Sequence, residues 1–248
     1  MKTIVLCGGK GTRLDRHGAL VPKALFRIGE EPLILHLMRI YRTFGLSDFT
    51  LSLGYLAEEF GKYFDVPVAG SQSSVKTAEI AVDAGPNVTL TLLDTGLETN
   101  TGGRVKKLES YITDDTFCVT YGDGLADLNL TALIDFHRRH GKIATLTAVN
   151  PVSNFGLLDL GSDGSVNSFR EKPKLKEWIN GGFFVFERRI FDYLDDSCVL
   201  EKEPFERLAA EGELMAYRHD GFWKCMDTFK DNVEMNEMWD AGAPWKVW

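Results

Sequence analysis

The chain alternates short apolar runs with stretches that repeat apolar residues at helical spacing. Thr3-Ile4-Val5-Leu6 is a continuous run of the kind buried in a parallel sheet. Leu33, Ile34, Leu37, Met38 and Tyr41 recur every three or four residues, and Pro32 suits a first helical turn. Residues 49–53, 87–93 and 116–120 read as further strands. Asn129 is placed to cap a helix with Leu130, Leu133, Ile134 and His137 on one side. This alternation predicts an α/β fold with a Rossmann-like, mainly parallel sheet flanked by helices.

The second half is richer in strands. Residues 144–149 and 182–186 are buried-type runs. Residues 155–160 and 165–170 flank Gly161-Ser162-Asp163-Gly164, the pattern of a hairpin. Residues 203–211 and 231–239 read as helices. No internal repeat or low-complexity linker interrupts the chain, so one domain over 1–248 is expected, in two halves that meet near residue 125. Residues 65–86, rich in Ser, Ala and Gly, show little periodicity and predict a mobile loop or an oligomer contact.

Composition narrows the classes. A chain of 248 residues with 44% hydrophobic content can bury one substantial core. A formal net charge of -8 argues against a general nucleic-acid or membrane-surface binder. Cys7, Cys118, Cys198 and Cys225 lack the paired spacing of a metal site. Three of them sit in strand-like apolar segments, so reduced, buried thiols are expected. Lys2 is followed by only a short apolar run, with no visible leader or spanning segment, and a cytoplasmic location is expected.

The most informative chemistry follows the first predicted strand: Leu6-Cys7-Gly8-Gly9-Lys10-Gly11-Thr12-Arg13-Leu14, and then Lys23. Closely spaced glycines allow a sharp turn and a close ligand approach, and such a loop can aim several N–H groups at a phosphate. Arg13 and Lys23 add a fork and a mobile point charge for the same anion. The string is neither a Walker A loop, which needs Gly-Lys-Ser/Thr after four intervening residues, nor the dinucleotide Gly-x-Gly-x-x-Gly, because Leu14 stands where the last glycine belongs. Further carboxylates stand at Asp123 and Asp227, each just after a strand-like run. Each also has a plain structural reading, as a turn residue between glycines and as a helix N-cap. Asp127 reads as a solvated loop acid.

Taken in order, GGKGTRL with Pro22-Lys23, Thr101-Gly102-Gly103-Arg104, Tyr121-Gly122-Asp123-Gly124, Glu171-Lys172-Pro173, Ile179-Asn180-Gly181-Gly182-Phe183-Phe184 and Gly221–Thr228 resemble the sugar-1-phosphate nucleotidyltransferases, and among them the cytidylyltransferases. The resemblance weakens over residues 65–86, and Leu20-Val21 replaces a more basic stretch before Pro-Lys. It implies a magnesium-dependent transfer of a cytidylyl group from CTP to α-D-glucose 1-phosphate, giving CDP-glucose and pyrophosphate. It also implies a nucleotide-binding half over about 1–125, a sugar-binding half over about 126–248, and a homo-oligomer.

The residue roles it implies are specific. Leu6, Cys7, Gly8, Gly9, Gly11, Thr12, Arg13, Lys23, Thr99, Arg104 and Asp123 would bind the nucleotide. Glu171, Lys172, Asn180 and Gly181 would bind the sugar phosphate. Asp123 and Asp227 would hold Mg2+, and Arg13, Lys23, Asp123, Lys172 and Asp227 would be catalytic. Other readings stay open: the same chemistry on another nucleotide or sugar, or a catalytically silent sugar-nucleotide binder. A metal-dependent glycosyltransferase fits less well, since it would carry a D-x-D-like pair and no GGxGTR loop.

Overall fold

The computed structural model describes residues 1–9, 12–14, 20–70, 76–82, 85–153 and 155–248, with 12–14 described by backbone alone. Among these residues the main sheet has ten strands. Its centre is parallel: Thr116–Tyr121, Lys2–Leu6, Asp48–Leu53 and Val88–Asp94 lie side by side in that order. The expected mainly parallel sheet is thus realised in the middle. Phe184–Glu187 runs antiparallel against Thr116–Tyr121 and leads outward to Ala144–Val149, which pairs with Ile179–Asn180 and with Leu214–His219. Strands from both halves of the chain therefore share one sheet.

Alternation along the strands explains the layers. Val5 and Cys118 face one apolar core with the Leu33–Thr43 helix. Ile4, Leu6, Phe117 and Val119 face the other, with Val105, Phe205 and Leu208. Apolar residues on both faces produce the continuous runs seen in the sequence. The C-terminus closes the first layer. Trp245 is fully buried, its ring near His36, and Trp248 lies under the Arg39 guanidinium. These aromatics anchor the end of the chain on its own helix.

Three features depart from the sequence reading. Residues 65–86 contribute two edge strands, Ala69–Gly70 and Thr77–Ile80, that pair with Val88–Asp94. Both are short, and Thr77–Ile80 is largely exposed, which leaves little hydrophobic periodicity to read. A helix at Ala57–Phe64, eight residues long with Ala57 and Phe60 buried, was not among the expected elements. The strand Leu214–His219 is half exposed. The expected hairpin is present as Leu157–Leu160 against Val166–Arg170, with Leu158, Leu160, Val166 and Phe169 exposed.

Candidate active site

The site grows out of two neighbouring strand ends. Leu6 and Tyr121 are register partners in adjacent parallel strands, so the loops that follow emerge together at the C-terminal edge of the sheet. That edge is where open α/β sheets bind ligands. Gly122 N donates to Leu6 O at 3.1 Å, and Cys7 N donates to Ser52 O at 2.9 Å, which fixes the start of the glycine loop. Gly11 lies outside the described residues. Thr12 and Arg13 are described only in backbone, paired with Pro22 and Val21 in a short hairpin that returns the chain to Lys23.

Gly8 leaves room for the side chain packed against it. A Cβ there would fall 2.0 Å from the Arg104 guanidinium. Arg104 rides on the short helix Thr101–Lys106, and Gly103 lets that helix touch the 196–198 loop: a Cβ on Gly103 would meet Asp196 O at 2.3 Å. Arg104 was expected to contact the nucleotide or its phosphates. In the structure its fork donates to Leu53 O at 2.7 Å, Thr95 Oγ1 at 2.7 Å and Gly8 O at 2.8 Å. It is buried and spends these N–H groups on the walls of the loop. Thr99 is similarly engaged, donating to Thr95 O at 2.7 Å and accepting from Lys107 Nζ at 3.0 Å.

Leu6, Cys7, Gly8, Gly9, Lys23, Thr99, Arg104, Tyr121 and Asp123 line one cavity of about 340 Å³. Cys7 is held as a thiol, because burial and the nearby Asp123 charge push its pKa up. A cavity of this size with a few convergent polar groups is the usual form of a small-molecule site.

Asp123 and Asp227 converge through a three-residue ribbon. Gly124–Ala126 pairs antiparallel with Trp223–Cys225, with Gly124 opposite Cys225. Met226 N donates to Asp123 O at 2.8 Å and closes the ribbon at this end. The two aspartates leave the same end, and one cation joins them: Lys23 Nζ lies 3.2 Å from Asp123 Oδ2 and 2.7 Å from Asp227 Oδ1. The N-cap of the last helix, Phe229–Asp240, is Thr228, in a reciprocal capping box with Asp231. Asp227 is therefore free of the capping role and faces Lys23. Asp127, expected to be a solvated acid, instead closes the far end of the ribbon. Its Oδ1 accepts from Phe222 N at 2.7 Å and lies 2.9 Å from His219 Nε2.

The electrostatics match this convergence. Burial raises the Asp123 pKa against the pull of Lys23, while the hydrogen bond from Lys23 lowers Asp227. Burial works against the Lys23 charge, but the Asp227 hydrogen bond and the Asp123 charge raise its pKa overall. Cys225 donates to Asp227 Oδ2 at 3.2 Å, and burial with the Asp227 contact pushes that thiol up to about 12.

The sugar-side residues divide. Asn180 Nδ2 donates to Tyr121 Oη at 3.2 Å, and Gly181 O accepts from Trp223 Nε1 at 2.8 Å. This segment thus borders the cavity through Tyr121 and the ribbon through Trp223, without lining the cavity itself. Glu171 and Lys172 are exposed at the end of the hairpin, outside the cavity, and Lys172 adopts a positive φ of 44°. Sequence reasoning missed Glu201, which accepts from Tyr121 Oη and, at 2.7 Å, from Thr101 Oγ1. No motif marked it, because its partners lie 80 and 100 positions away.

The pattern of the family described as Nucleotidyl transferase matches residues 2–239. A probable glucose-1-phosphate cytidylyltransferase of Bacillus subtilis (strain 168) is 43% identical over 256 residues, spanning 100% of both chains. The glucose-1-phosphate cytidylyltransferase of Salmonella typhimurium is 44% identical over 260 residues, again spanning 100% of both. HddC from Yersinia pseudotuberculosis, complexed with GMP-PN, superimposes with a TM-score of 0.70 at 22% identity, over 96% of this chain and 99% of that one. UDP-glucose pyrophosphorylase complexed with UDP-glucose gives 0.70 at 14% identity, over 97% and 98%. At those identities the two structures speak to the shared fold alone. With a family match over nearly its whole length and relatives above 40% identity end to end, this chain is a member of the nucleotidyl transferase family.

Proposed function

We propose that the protein transfers a cytidylyl group from CTP to α-D-glucose 1-phosphate, releasing pyrophosphate and CDP-glucose. The choice of base and sugar rests on the full-length likeness to the glucose-1-phosphate cytidylyltransferases. The observation that carries the chemistry is the meeting of Lys23, Asp123 and Asp227 beside the glycine-loop cavity.

A sugar 1-phosphate brings its own nucleophile, an ionised phosphate oxygen, so no protein nucleophile is needed. That oxygen forms a bond to the α-phosphorus of the nucleotide. The bond from the α-phosphorus to the bridging oxygen breaks, and pyrophosphate leaves with the electron pair. The protein aligns the two phosphates and offsets the charge that develops on the leaving group. In this reading the glycine loop receives the triphosphate, Arg13 and Lys23 supply positive charge to it, and Asn180, Gly181, Glu171 and Lys172 receive the sugar phosphate.

Nucleotidyl transferases generally use a divalent cation. The donor set suits one: two carboxylates direct oxygens at a single cation, the Lys23 ammonium. Mg2+ commonly takes one or two carboxylates and completes its shell with phosphate oxygens and water. Asp123 and Asp227 would hold it, and bound there it would neutralise phosphate charge. Self-association belongs to the same reading, supported by the exposed apolar face of the hairpin. Light scattering would give a homo-oligomer, and a monomer at micromolar concentration would contradict it. Among the described residues no helix is long and apolar enough to cross a membrane.

The test of the reaction is pyrophosphate release from each nucleoside triphosphate against a panel of sugar 1-phosphates. CTP with glucose 1-phosphate is expected to give the highest kcat/KM. A clear preference for UTP, dTTP or ATP would move the protein to another specificity on the same chemistry. No release from any pair would favour a silent sugar-nucleotide binder.

A further inference from the structure

The strand Trp223–Cys225 has two sides with different duties. Alternate side chains of a strand point in opposite directions. Lys224 points to the last helix, where its Nζ meets Asp231 Oδ1 at 3.2 Å and Glu234 Oε2 at 2.8 Å. Trp223 and Cys225 point the other way. Cys225 Sγ reaches Asp227 Oδ2, and Trp223 Nε1 reaches Gly181 O at 2.8 Å. The indole also passes over Gly124, the residue after Asp123: a Cβ built there would lie 3.9 Å from Trp223 Nε1. One strand thus touches both aspartates' surroundings and the Asn180–Gly181 segment.

That segment lies at the edge of the main sheet. Its strand, Ile179–Asn180, is two residues long and pairs on one side with Ala144–Val149. Gly181 N donates to Thr147 O at 2.8 Å, and Gly182 N donates to Asn180 Oδ1 at 3.0 Å. Gly182 O accepts from Thr147 N at 3.2 Å. The Gly181 carbonyl is engaged by the indole, which also limits how far the peptide can rotate.

We propose that Trp223 is a positioning residue that ties the Asn180–Gly181 segment to the ribbon carrying Asp123 and Asp227, and thereby sets the affinity for the sugar 1-phosphate. The proposal rests on the sugar-side role given to Asn180 and Gly181 above. Trp223 touches neither substrate in this account; it acts through the Gly181 peptide. Losing its N–H frees that peptide on the sugar side and leaves the phosphate loop, on the other strand ends, as it was.

Trp223→Phe keeps an aromatic ring and removes the N–H. Loss of a single hydrogen bond of this type corresponds to a change of roughly three- to tenfold. The variant is expected to raise the KM for glucose 1-phosphate by that factor and to leave the KM for CTP within about twofold. Combined with Asn180→Ala, its effect on the sugar KM should be less than the product of the single effects, since both act on one segment. Hydrogen exchange of the substrate-free protein gives a readout independent of turnover: amides at 179–182 should exchange faster in Trp223→Phe, with the glycine-loop amides unchanged. Turnover of the unaltered enzyme tests the reaction itself, whereas the ratio of the two KM values and the exchange pattern test Trp223. Equal rises in both KM values, multiplicative effects with Asn180→Ala, or unchanged exchange at 179–182 would overturn the proposal.

Discussion

Lys23 and Asp227 are 204 positions apart in the chain, yet the lysine ammonium donates to the carboxylate at 2.7 Å. The same ammonium reaches Asp123 at 3.2 Å. A cation of the protein thus stands between the two carboxylates proposed to hold a metal ion. Lys23 and a divalent cation then compete for one pair of oxygens, and triphosphate binding favours the exchange by giving Lys23 a new anion. Lys23→Met should bind Mn2+ more tightly than the unaltered protein when no nucleotide is present, as read by the free-ion signal in electron paramagnetic resonance. Its turnover should fall at least about tenfold, because a lost charged contact to a transition-state phosphate is worth at least about 1.4 kcal/mol. Unchanged Mn2+ affinity would mean that the lysine does not occupy the cation's place.

Arg104 gives a prediction that separates scaffold from ligand contact. Its fork bonds Leu53 O, Thr95 Oγ1 and Gly8 O closely, and Leu97 O at 3.5 Å. Arg104→Met removes these charged hydrogen bonds, each worth about 1.5–3 kcal/mol, while Thr95 N, Tyr55 N and Ser52 Oγ still partner Leu53 O, Gly8 O and Thr95 Oγ1 and soften the loss. A net loss of about 2–4 kcal/mol would lower Tm by roughly 5–15 °C for a chain of this size. Calorimetry checks it. A variant that melts like the parent but has a raised KM for CTP would return Arg104 to the nucleotide.

Stability should also fall on mild acidification. Burial lowers the pKa of His137 against the pull of Glu187, and burial lowers His36 and His140 as well. In the unfolded chain a histidine takes up a proton below about pH 6.5. Between that pH and the depressed folded value, the unfolded state binds more protons, so stability declines as pH falls. The carboxylates lowered by their partners, Asp227 and Asp231, act at lower pH. Denaturant melts at about pH 7.5 and about pH 5.5 should show this loss, and His137→Gln should reduce its slope. A slope unchanged in the variant would assign the effect elsewhere.

Much of the fold was legible because its core strands are buried on both faces and read as continuous apolar runs. Ile4, Val5, Phe117 and Val119 are all fully buried, and each lay in a predicted strand. The edge strand Thr77–Ile80 was not legible, since an exposed strand carries no such run. The site shows the same division. The motifs marked Lys23, Asp123 and Asp227, because the chemistry is local to each string. Their convergence depends on a three-residue ribbon whose pairing no sequence period announces. For the same reason Asp127 was read as a solvated acid, when its partners Phe222 and His219 arrive from the stretch that leads into the other strand of that ribbon. Arg104 stood in a recognisable motif, but its acceptors Leu53 O, Thr95 Oγ1 and Gly8 O lie at positions far from it in the chain or carry no pattern of their own.

The central claim is that Asp123 and Asp227 act as one unit on one ion. Single-turnover kinetics of Asp123→Asn, Asp227→Asn and the double variant, across a magnesium titration, tests it most directly. Groups that act as a unit show strongly non-additive losses, because the second substitution finds little catalysis left to remove. Each single variant should nearly abolish turnover at every magnesium concentration, and the double variant should be little worse than either. Losses that multiply independently, or turnover that survives chelation of the metal, would contradict the account.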